Sequence, residues 1–190
     1  MGLLAVAGSC IAGLAACSSS GDGADASPSR PPATTPRAVP SPSPSPADPK
    51  AAEERAVLDA YRHYWTEQAK AYKNGTITGT ALTTYAVGDA LSRVESDLRT
   101  MKSNGVIADG APRSNASVTR LDLQAQVPSA TLSDCLDISS WKRLYRSTRK
   151  EVPTPKGRID HYKTDVKAEK WGKQWKILSA TPRQQECASG

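Results

Sequence analysis

The first regular pattern along the chain is helical and spans about residues 49–73. Apolar and aromatic side chains recur there at intervals of three and four residues, so they fall in one stripe when each residue advances by 100°. Asp48 and Pro49 supply an N-cap and a first helical residue, and Asn74-Gly75 supplies a stop. The stripe consists of Val57, Leu58, Tyr61, Tyr64, Trp65, Gln68 and Tyr72.

A second helical pattern covers about residues 88–103, and after it the period changes to two. The alternation predicts strands over residues 119–127, 130–135, 159–171 and 175–180. Gly172-Lys173 joins the last two strands as a hairpin. Helices followed by antiparallel strands predict an α+β fold, with N-terminal helices packed on a curved antiparallel sheet of about four strands.

The N-terminal end of the chain is an uncharged and mainly apolar run that ends at Leu14, Ala15, Ala16 and Cys17. It is shorter than the roughly 20 residues of a membrane-spanning helix, so residues 1–16 are predicted to be a signal peptide. Leu14-Ala15-Ala16-Cys17 resembles the lipobox of bacterial lipoproteins. The resemblance implies cleavage before Cys17 and attachment of diacylglycerol to its thiol. Because Met1-Gly2 lacks the usual positive charge, we expect the start codon to lie upstream.

The next segment is rich in serine and proline. Residues 18–50 hold nine of the fourteen prolines and no aromatic residue, so this segment cannot bury enough apolar area to fold. Alternating Ser and Pro over residues 41–46 favours extended polyproline II. We predict a disordered stalk over residues 17–47 and a single domain over residues 48–190. Sugar attachment and docking to a proline-recognising domain are alternatives for the stalk.

Four cysteines constrain the chemistry of the chain. Cys10 leaves with the signal peptide and Cys17 carries lipid, so Cys135 and Cys187 remain. Two thiols outside the cytoplasm predict one disulfide. No metal site and no cofactor are expected, because two distant cysteines without a nearby histidine make a poor zinc site.

Two short motifs accompany this order of elements, namely Asp134-Cys135 after a strand and Gly172-Lys173-Gln174-Trp175 in the late hairpin. Together they resemble the small secreted lipoproteins of high-GC Gram-positive (actinobacterial) bacteria, many of which are similar to the NTF2-like (SnoaL-like) cone fold. The resemblance implies a pocket between the curved sheet and the long helix. Such pockets serve catalysis, small-molecule binding or protein contact, and the fold alone does not choose among these uses.

Several residues are candidates for lining such a pocket. Asp134 shares strand parity with Ala130 and Leu132, so its side chain is expected to point inward, where burial would raise its pKa. The alternative for Asp134 is a strand-end carboxylate that accepts a backbone N–H. The alternative for the aromatic stripe is plain core. The candidates are Tyr61, Tyr64, Trp65, Gln68, Tyr72 and Asp134.

No catalytic residue is predicted. His63 projects away from the apolar stripe and His161 shares parity with charged residues, so both histidines are expected to face water. The sequence contains no Gly-x-Ser-x-Gly elbow, no phosphate-binding loop and no His-Glu-x-x-His motif.

The net charge of +6 is concentrated in the last third of the chain. Residues 142–183 hold thirteen lysines and arginines against four acidic residues, whereas residues 51–141 hold nine basic and eleven acidic residues. The densest stretch is a candidate contact for anionic lipid head groups or wall polyanions, and the alternative is a solvated basic face. Its residues are Lys142, Arg143, Arg146, Arg149 and Lys150.

Taken together, these patterns predict an extracytoplasmic domain that is lipid-anchored to the outer face of the cell membrane. Its expected role is a binding or interaction module. Its partner is expected to be an envelope protein, a small apolar ligand or an anionic polymer, and not nucleic acid. The alternatives are an NTF2-like small-molecule enzyme of isomerase, cyclase or hydrolase type, and electrostatic attachment to envelope polyanions.

Overall fold

The computed structural model describes residues 48–188, so the predicted signal peptide, lipid site and stalk lie outside the described residues. The described part has the predicted α+β architecture, with helices first and antiparallel strands afterwards. The helices are α1 (Pro49–Asn74), α2 (Leu82–Tyr85) and α3 (Gly88–Ser103). The strands are β1 (Val106–Asp109), β2 (Ala116–Asp122), β3 (Ser129–Asp137), β4 (Lys142–Tyr145), β5 (His161–Trp171) and β6 (Gln174–Glu186).

Helix α1 begins and ends where the sequence predicts. The Asp48 carboxylate accepts the backbone N–H of Lys50 at 2.9 Å, and Pro49 occupies the first turn. Gly75 ends the helix at a φ of 76°, a left-handed conformation that glycine adopts without steric cost. The Arg146 guanidinium lies over Gly75, where a side chain at this position would collide with it. A cation beside a helix C-terminus is favourable for the helix dipole.

The strands form two sheets. The larger sheet is antiparallel with the order β2-β3-β5-β6, which confirms the predicted sheet of four strands; β2 and β6 are its edges. The smaller sheet pairs β1 with β4 and was not predicted. One of its two strands, β4 (Lys142–Tyr145), belongs to the basic stretch of the sequence. Its charged side chains obscure the alternation of apolar and polar residues that would indicate a strand.

Strand β2 corrects one prediction. The strand runs over Ala116–Asp122 and not over residues 119–127. A bulge between Val118 and Arg120 reverses the parity, so that Val118 and Leu121 both pack against the core. The Asp122 carboxylate then accepts the N–H groups of Gln124 and Ala125, each at 3.1 Å, and this turn stops the strand.

The hydrophobic core lies between the helices and one face of the larger sheet. The aromatic stripe of α1 faces this core as predicted, and Tyr61 is fully buried. On the sheet side, Trp175 and Ile177 of β6 are almost fully buried. The Trp175 indole N–H donates to the Glu53 carboxylate at 2.9 Å, so its one polar atom is satisfied. The core therefore holds α1 against the β5–β6 hairpin.

The predicted disulfide between Cys135 and Cys187 is confirmed, with Cα atoms 5.9 Å apart. Cys135 lies on β3 and Cys187 follows β6, and β5 lies between these two strands. The bridge therefore joins the segment after β6 to β3. Strand β6 was expected to end near residue 180, but it continues to Glu186, which pairs with Tyr162 of β5. Both the disulfide and backbone pairing with β5 therefore hold the C-terminal end of β6 in place.

Candidate functional site

The main cleft of the described part lies beside the C-terminal half of α1 and has a volume of about 490 Å³. Its lining is chiefly apolar and comes from α1, α3, the smaller sheet and two loops. Clefts of roughly 300–1,000 Å³ with aromatic walls are typical of small-molecule sites. The lining residues are Tyr72, Met101, Ala108, Ile138, Trp141, Arg143, Pro155, Lys156, Gly157 and Arg158.

The aromatic wall of the cleft is held in place from several sides. Tyr72 stacks on Trp141 with ring centroids 5.2 Å apart, and Trp65 meets Trp141 edge-on at 6.2 Å. The Tyr72 hydroxyl donates to the Asp97 carboxylate at 2.6 Å, which ties α1 to α3. Burial and the Asp97 carboxylate raise the pKa of Tyr72. Tyr72 therefore stays neutral at physiological pH.

Trp141 is carried by a short loop that packs tightly against the end of β1. Its backbone N–H donates to the Ile138 carbonyl at 3.0 Å, which closes a turn. Gly110, at a φ of 84°, lies so close to the Ser140 carbonyl that a Cβ there would be 2.2 Å from the carbonyl oxygen. This position therefore requires glycine, and the close approach brings Trp141 onto Tyr72.

The opposite wall is the loop before β5. Arg158 is ion-paired with Asp160 at 2.8 Å, and its guanidinium donates to the Ile138 carbonyl at 3.0 Å. The Ile138 N–H donates to the Asp160 carbonyl at 2.8 Å. These contacts fasten the 155–160 loop to the loop that carries Trp141, so both walls are connected.

The six predicted pocket residues lie together, but mostly in the core. Tyr72 lines the main cleft, and Tyr61 lines a smaller hollow of about 220 Å³ next to Arg62. Each of the six is at most 9% exposed, and Tyr61 and Tyr64 stack with centroids 6.1 Å apart. The Gln68 carbonyl oxygen is buried and has no hydrogen-bond partner among residues 48–188.

Asp134 points inward as expected and is 1% exposed. Its carboxylate accepts the Tyr61 hydroxyl at 3.0 Å and the Asn115 backbone N–H at 2.7 Å. Burial raises the pKa of Asp134, and these two hydrogen bonds oppose the rise in part. The carboxyl group is thus both buried and partnered, and it lies outside the lining of the main cleft.

The two histidines lie at the surface of the domain, as the sequence predicts. His63 is exposed and stacks on Tyr85 with ring centroids 4.9 Å apart. His161 is partly exposed, with its Nε2 3.4 Å from the Asp137 carboxylate. The Asp137 carboxylate also accepts two hydrogen bonds from the Arg113 guanidinium and one from the Ser139 backbone N–H. Its partners hold the pKa of Asp137 well below its usual range, with the Ser139 hydrogen bonds as the main cause.

The predicted basic stretch is not a uniform free surface. Lys142 pairs with Glu151 at 3.4 Å, and Arg149 pairs with Asp109 at 3.4 Å. Arg146 covers the end of α1, and Lys150 is exposed. Arg143 differs from the other four because it lines the main cleft.

Sequence reasoning missed most of the cleft. Met101 lies within the second helical pattern, and Ile138, Pro155 and Gly157 belong to no periodic segment. The one sequence feature that pointed to the cleft was Trp141. It is a large apolar residue at the start of a polar stretch that has neither strand nor helix periodicity. The structure shows its partners, which lie far away along the chain.

Within residues 48–188, no helix is both long enough and apolar enough to cross a membrane. No protein-family model matches the chain. No curated protein matches it either. Among solved structures, the crystal structure of the intermembrane space region of the chloroplast protein ARC6 is similar with a TM-score of 0.40 and 16% identity, over 73% of this chain and 98% of that chain. At that TM-score, the similarity supports no conclusion about function.

Proposed function

We propose that this chain is a lipid-anchored binding module of the bacterial cell envelope that takes a small apolar ligand. The observation that carries the proposal is the cleft of about 490 Å³, whose aromatic wall is built by Tyr72 and Trp141. Its volume falls within the range of ligand pockets, and apolar walls with a few polar groups are typical of such pockets. An apolar ligand would bury further apolar area against these rings, which favours binding.

Two features support a position on the outer face of the cell membrane. Leu14-Ala15-Ala16-Cys17 has the order of a lipobox. The disulfide of Cys135 with Cys187 fits an oxidising compartment, because disulfides are rare in the cytosol. Helices on a four-stranded antiparallel sheet also fit the proposed assignment to actinobacterial lipoproteins with an NTF2-like domain.

The binding role is preferred over the enzymatic alternative because of where the titratable groups lie. The buried carboxyl group of Asp134 is the feature that would support an enzymatic role. Its oxygens, however, already accept hydrogen bonds from the Tyr61 hydroxyl and the Asn115 backbone N–H. The main cleft, in contrast, has no histidine, carboxylate, cysteine or serine in its lining. A general base must reach the proton that it abstracts, so the cleft is better suited to binding than to acid–base catalysis.

The first prediction tests the cleft with Nile red, a neutral dye whose fluorescence rises in apolar surroundings. The chain from residue 17 onward, carrying Cys17→Ser and secreted without lipid, is expected to bind the dye. Met101→Trp should weaken binding of the dye at least about tenfold. Met101 lines the cleft, and the larger tryptophan side chain would occupy part of its volume. Arg99→Trp is the control, since Arg99 is an exposed residue of the same helix outside the lining. Equal binding by both variants would contradict the assignment of the site.

The second prediction concerns the anchor. Cys17→Ala is expected to leave an uncleaved precursor without attached lipid, because no thiol is available to accept diacylglycerol. Cys10→Ala is the matched control and should be processed like the wild type, since Cys10 lies in the apolar run before the lipobox. Intact-mass spectrometry of protein extracted from the membrane fraction distinguishes the two. An unmodified N-terminus at another residue in the wild type would contradict the lipobox assignment.

A further inference from the structure

The main cleft combines an apolar interior with three cationic residues, Arg143, Lys156 and Arg158. No acidic residue of the described part belongs to its lining. We infer that the ligand is a single-chain amphiphile with an acidic head group, and that Arg143 and Lys156 bind this head group. The inference rests on the proposed function, because it names the ligand class of the same cleft.

Arg143 is placed at the cleft by the register of the smaller sheet. It lies opposite Ala108 in the pairing of β4 with β1, and Ala108 also lines the cleft. Residues directly opposite each other in an antiparallel pair have their side chains on the same face of the sheet. The side chain of Arg143 therefore borders the apolar interior at an exposed position.

The charge of Arg143 is not neutralised within residues 48–188. Its neighbours in the basic stretch are paired, Lys142 with Glu151 and Arg149 with Asp109, whereas Arg143 forms no ion pair in this part of the chain. An exposed guanidinium beside apolar walls offers two parallel donors to a carboxylate or phosphate.

The other two cations have different roles. The guanidinium of Arg158 is ion-paired with Asp160 and bonded to the Ile138 carbonyl, so it fixes the wall. Lys156 is exposed and forms no ion pair with residues 48–188. Lys156 and Arg143 thus both border the cleft with unpaired charges.

This arrangement favours acidic ligands over neutral and cationic ones. A neutral ligand that fills the cleft would gain apolar contacts but no charge-assisted hydrogen bond with an anionic acceptor. A cationic head group would be repelled, whereas a carboxylate or phosphate would accept charge-assisted hydrogen bonds from both. The head group therefore determines which apolar molecule is retained.

The test uses the chain from residue 17 onward with Cys17→Ser, and measures displacement of bound Nile red by four amphiphiles that share a twelve-carbon chain. Each is used below its micelle concentration or its solubility limit. These are dodecanoate, dodecyl phosphate, dodecanol and dodecyltrimethylammonium. We expect at least one acidic amphiphile to bind about tenfold or more tightly than dodecanol, and the cation to bind most weakly. The acidic amphiphile that binds more tightly identifies the source of the head group. Tighter binding of dodecanoate indicates a free fatty acid, and tighter binding of dodecyl phosphate indicates a phosphate-bearing lipid.

The variant Arg143→Gln/Lys156→Gln should lose about tenfold or more of its affinity for the acidic amphiphile and keep its affinity for dodecanol. The matched control, Arg99→Gln/Lys150→Gln, removes the same charge from exposed residues outside the lining and should bind like the wild type. Equal affinity of the wild type for dodecanoate, dodecyl phosphate and dodecanol, or equal losses in both double variants, would overturn the inference while the apolar site stands. Failure to bind Nile red and all four amphiphiles would overturn the proposed function itself.

Discussion

Replacing Cys135 and Cys187 with serine is expected to lower the free energy of unfolding by roughly 4 kcal/mol, because the disulfide closes a long loop in the unfolded chain. The two residues are 52 positions apart along the chain. In the chain-entropy model the loss grows with the logarithm of this separation. For a domain of this size, such a loss corresponds to a decrease in Tm on the order of 10 °C.

The structure also indicates which segment should open most readily when the disulfide is removed. Residues 181–186 of β6 are exposed and lie at the edge of the larger sheet, where β5 is their one neighbouring strand. Without the bridge, the amides of this segment are expected to exchange with solvent much faster than those near Trp175, which lies in the core.

Hydrogen exchange measured by mass spectrometry and chemical denaturation of both proteins check this prediction. The single variants Cys135→Ser and Cys187→Ser serve as controls, because each breaks the same bridge and should lose similar stability. A double variant with unchanged Tm would show that backbone pairing alone holds the tail.

The helices and the buried sheet could be predicted because their signals are local. In α1, Asp48, Pro49 and Gly75 mark the ends, and the aromatic stripe marks the buried face. In β5 the alternation of Thr164, Val166 and Ala168 with polar residues is regular, and these three residues are almost fully buried. Local signals suffice when one face of an element is buried along its whole length.

The smaller sheet and the β2 bulge could not be predicted in the same way. Strand β4 is four residues long and mostly exposed, so its sequence reads as a run of charge. The bulge in β2 inserts a residue whose effect depends on the partner strand β3, and a single strand carries no record of its partner's register.

The candidate site was harder to predict than the fold for a related reason. Five of the six predicted pocket residues share one face of α1, and such a face is filled by the core when the sheet packs directly on it. The cleft instead forms where Trp141 and the 155–158 loop meet the edge of that core. Tyr72 belongs to both regions because it lies in the last turns of α1. Contacts between distant loops leave no periodic pattern in a sequence.

Asp134→Ala is expected to lower the free energy of unfolding by roughly 2–4 kcal/mol, since it leaves two donors without their acceptor. The Tyr61 hydroxyl is fully buried and has Asp134 as its acceptor. The Asn115 backbone N–H also donates to this carboxylate. Asp134→Asn keeps an acceptor and the side-chain shape, so its loss should be smaller. Chemical denaturation at neutral pH compares the two variants, and a loss in Asp134→Asn equal to that in Asp134→Ala would contradict this account.

The same carboxyl group should make stability depend on pH in a defined direction. Burial raises the pKa of Asp134 above its usual value of about 3.9, so the fold favours the protonated acid. The stability that this preference contributes is complete below the usual pKa and is lost as the pH rises through the folded-state pKa. Because Asp134→Asn does not titrate, the free energy of unfolding of the wild type minus that of Asp134→Asn should fall as the pH rises above the usual carboxyl pKa of about 3.9. Tyr61→Phe removes a hydrogen bond that opposes the rise in the pKa of Asp134. The effect of Asp134→Asn, measured in the Tyr61→Phe protein, should therefore show a larger fall with pH. A difference that stays constant or grows with pH would mean that the hydrogen bonds to Asp134 outweigh its burial.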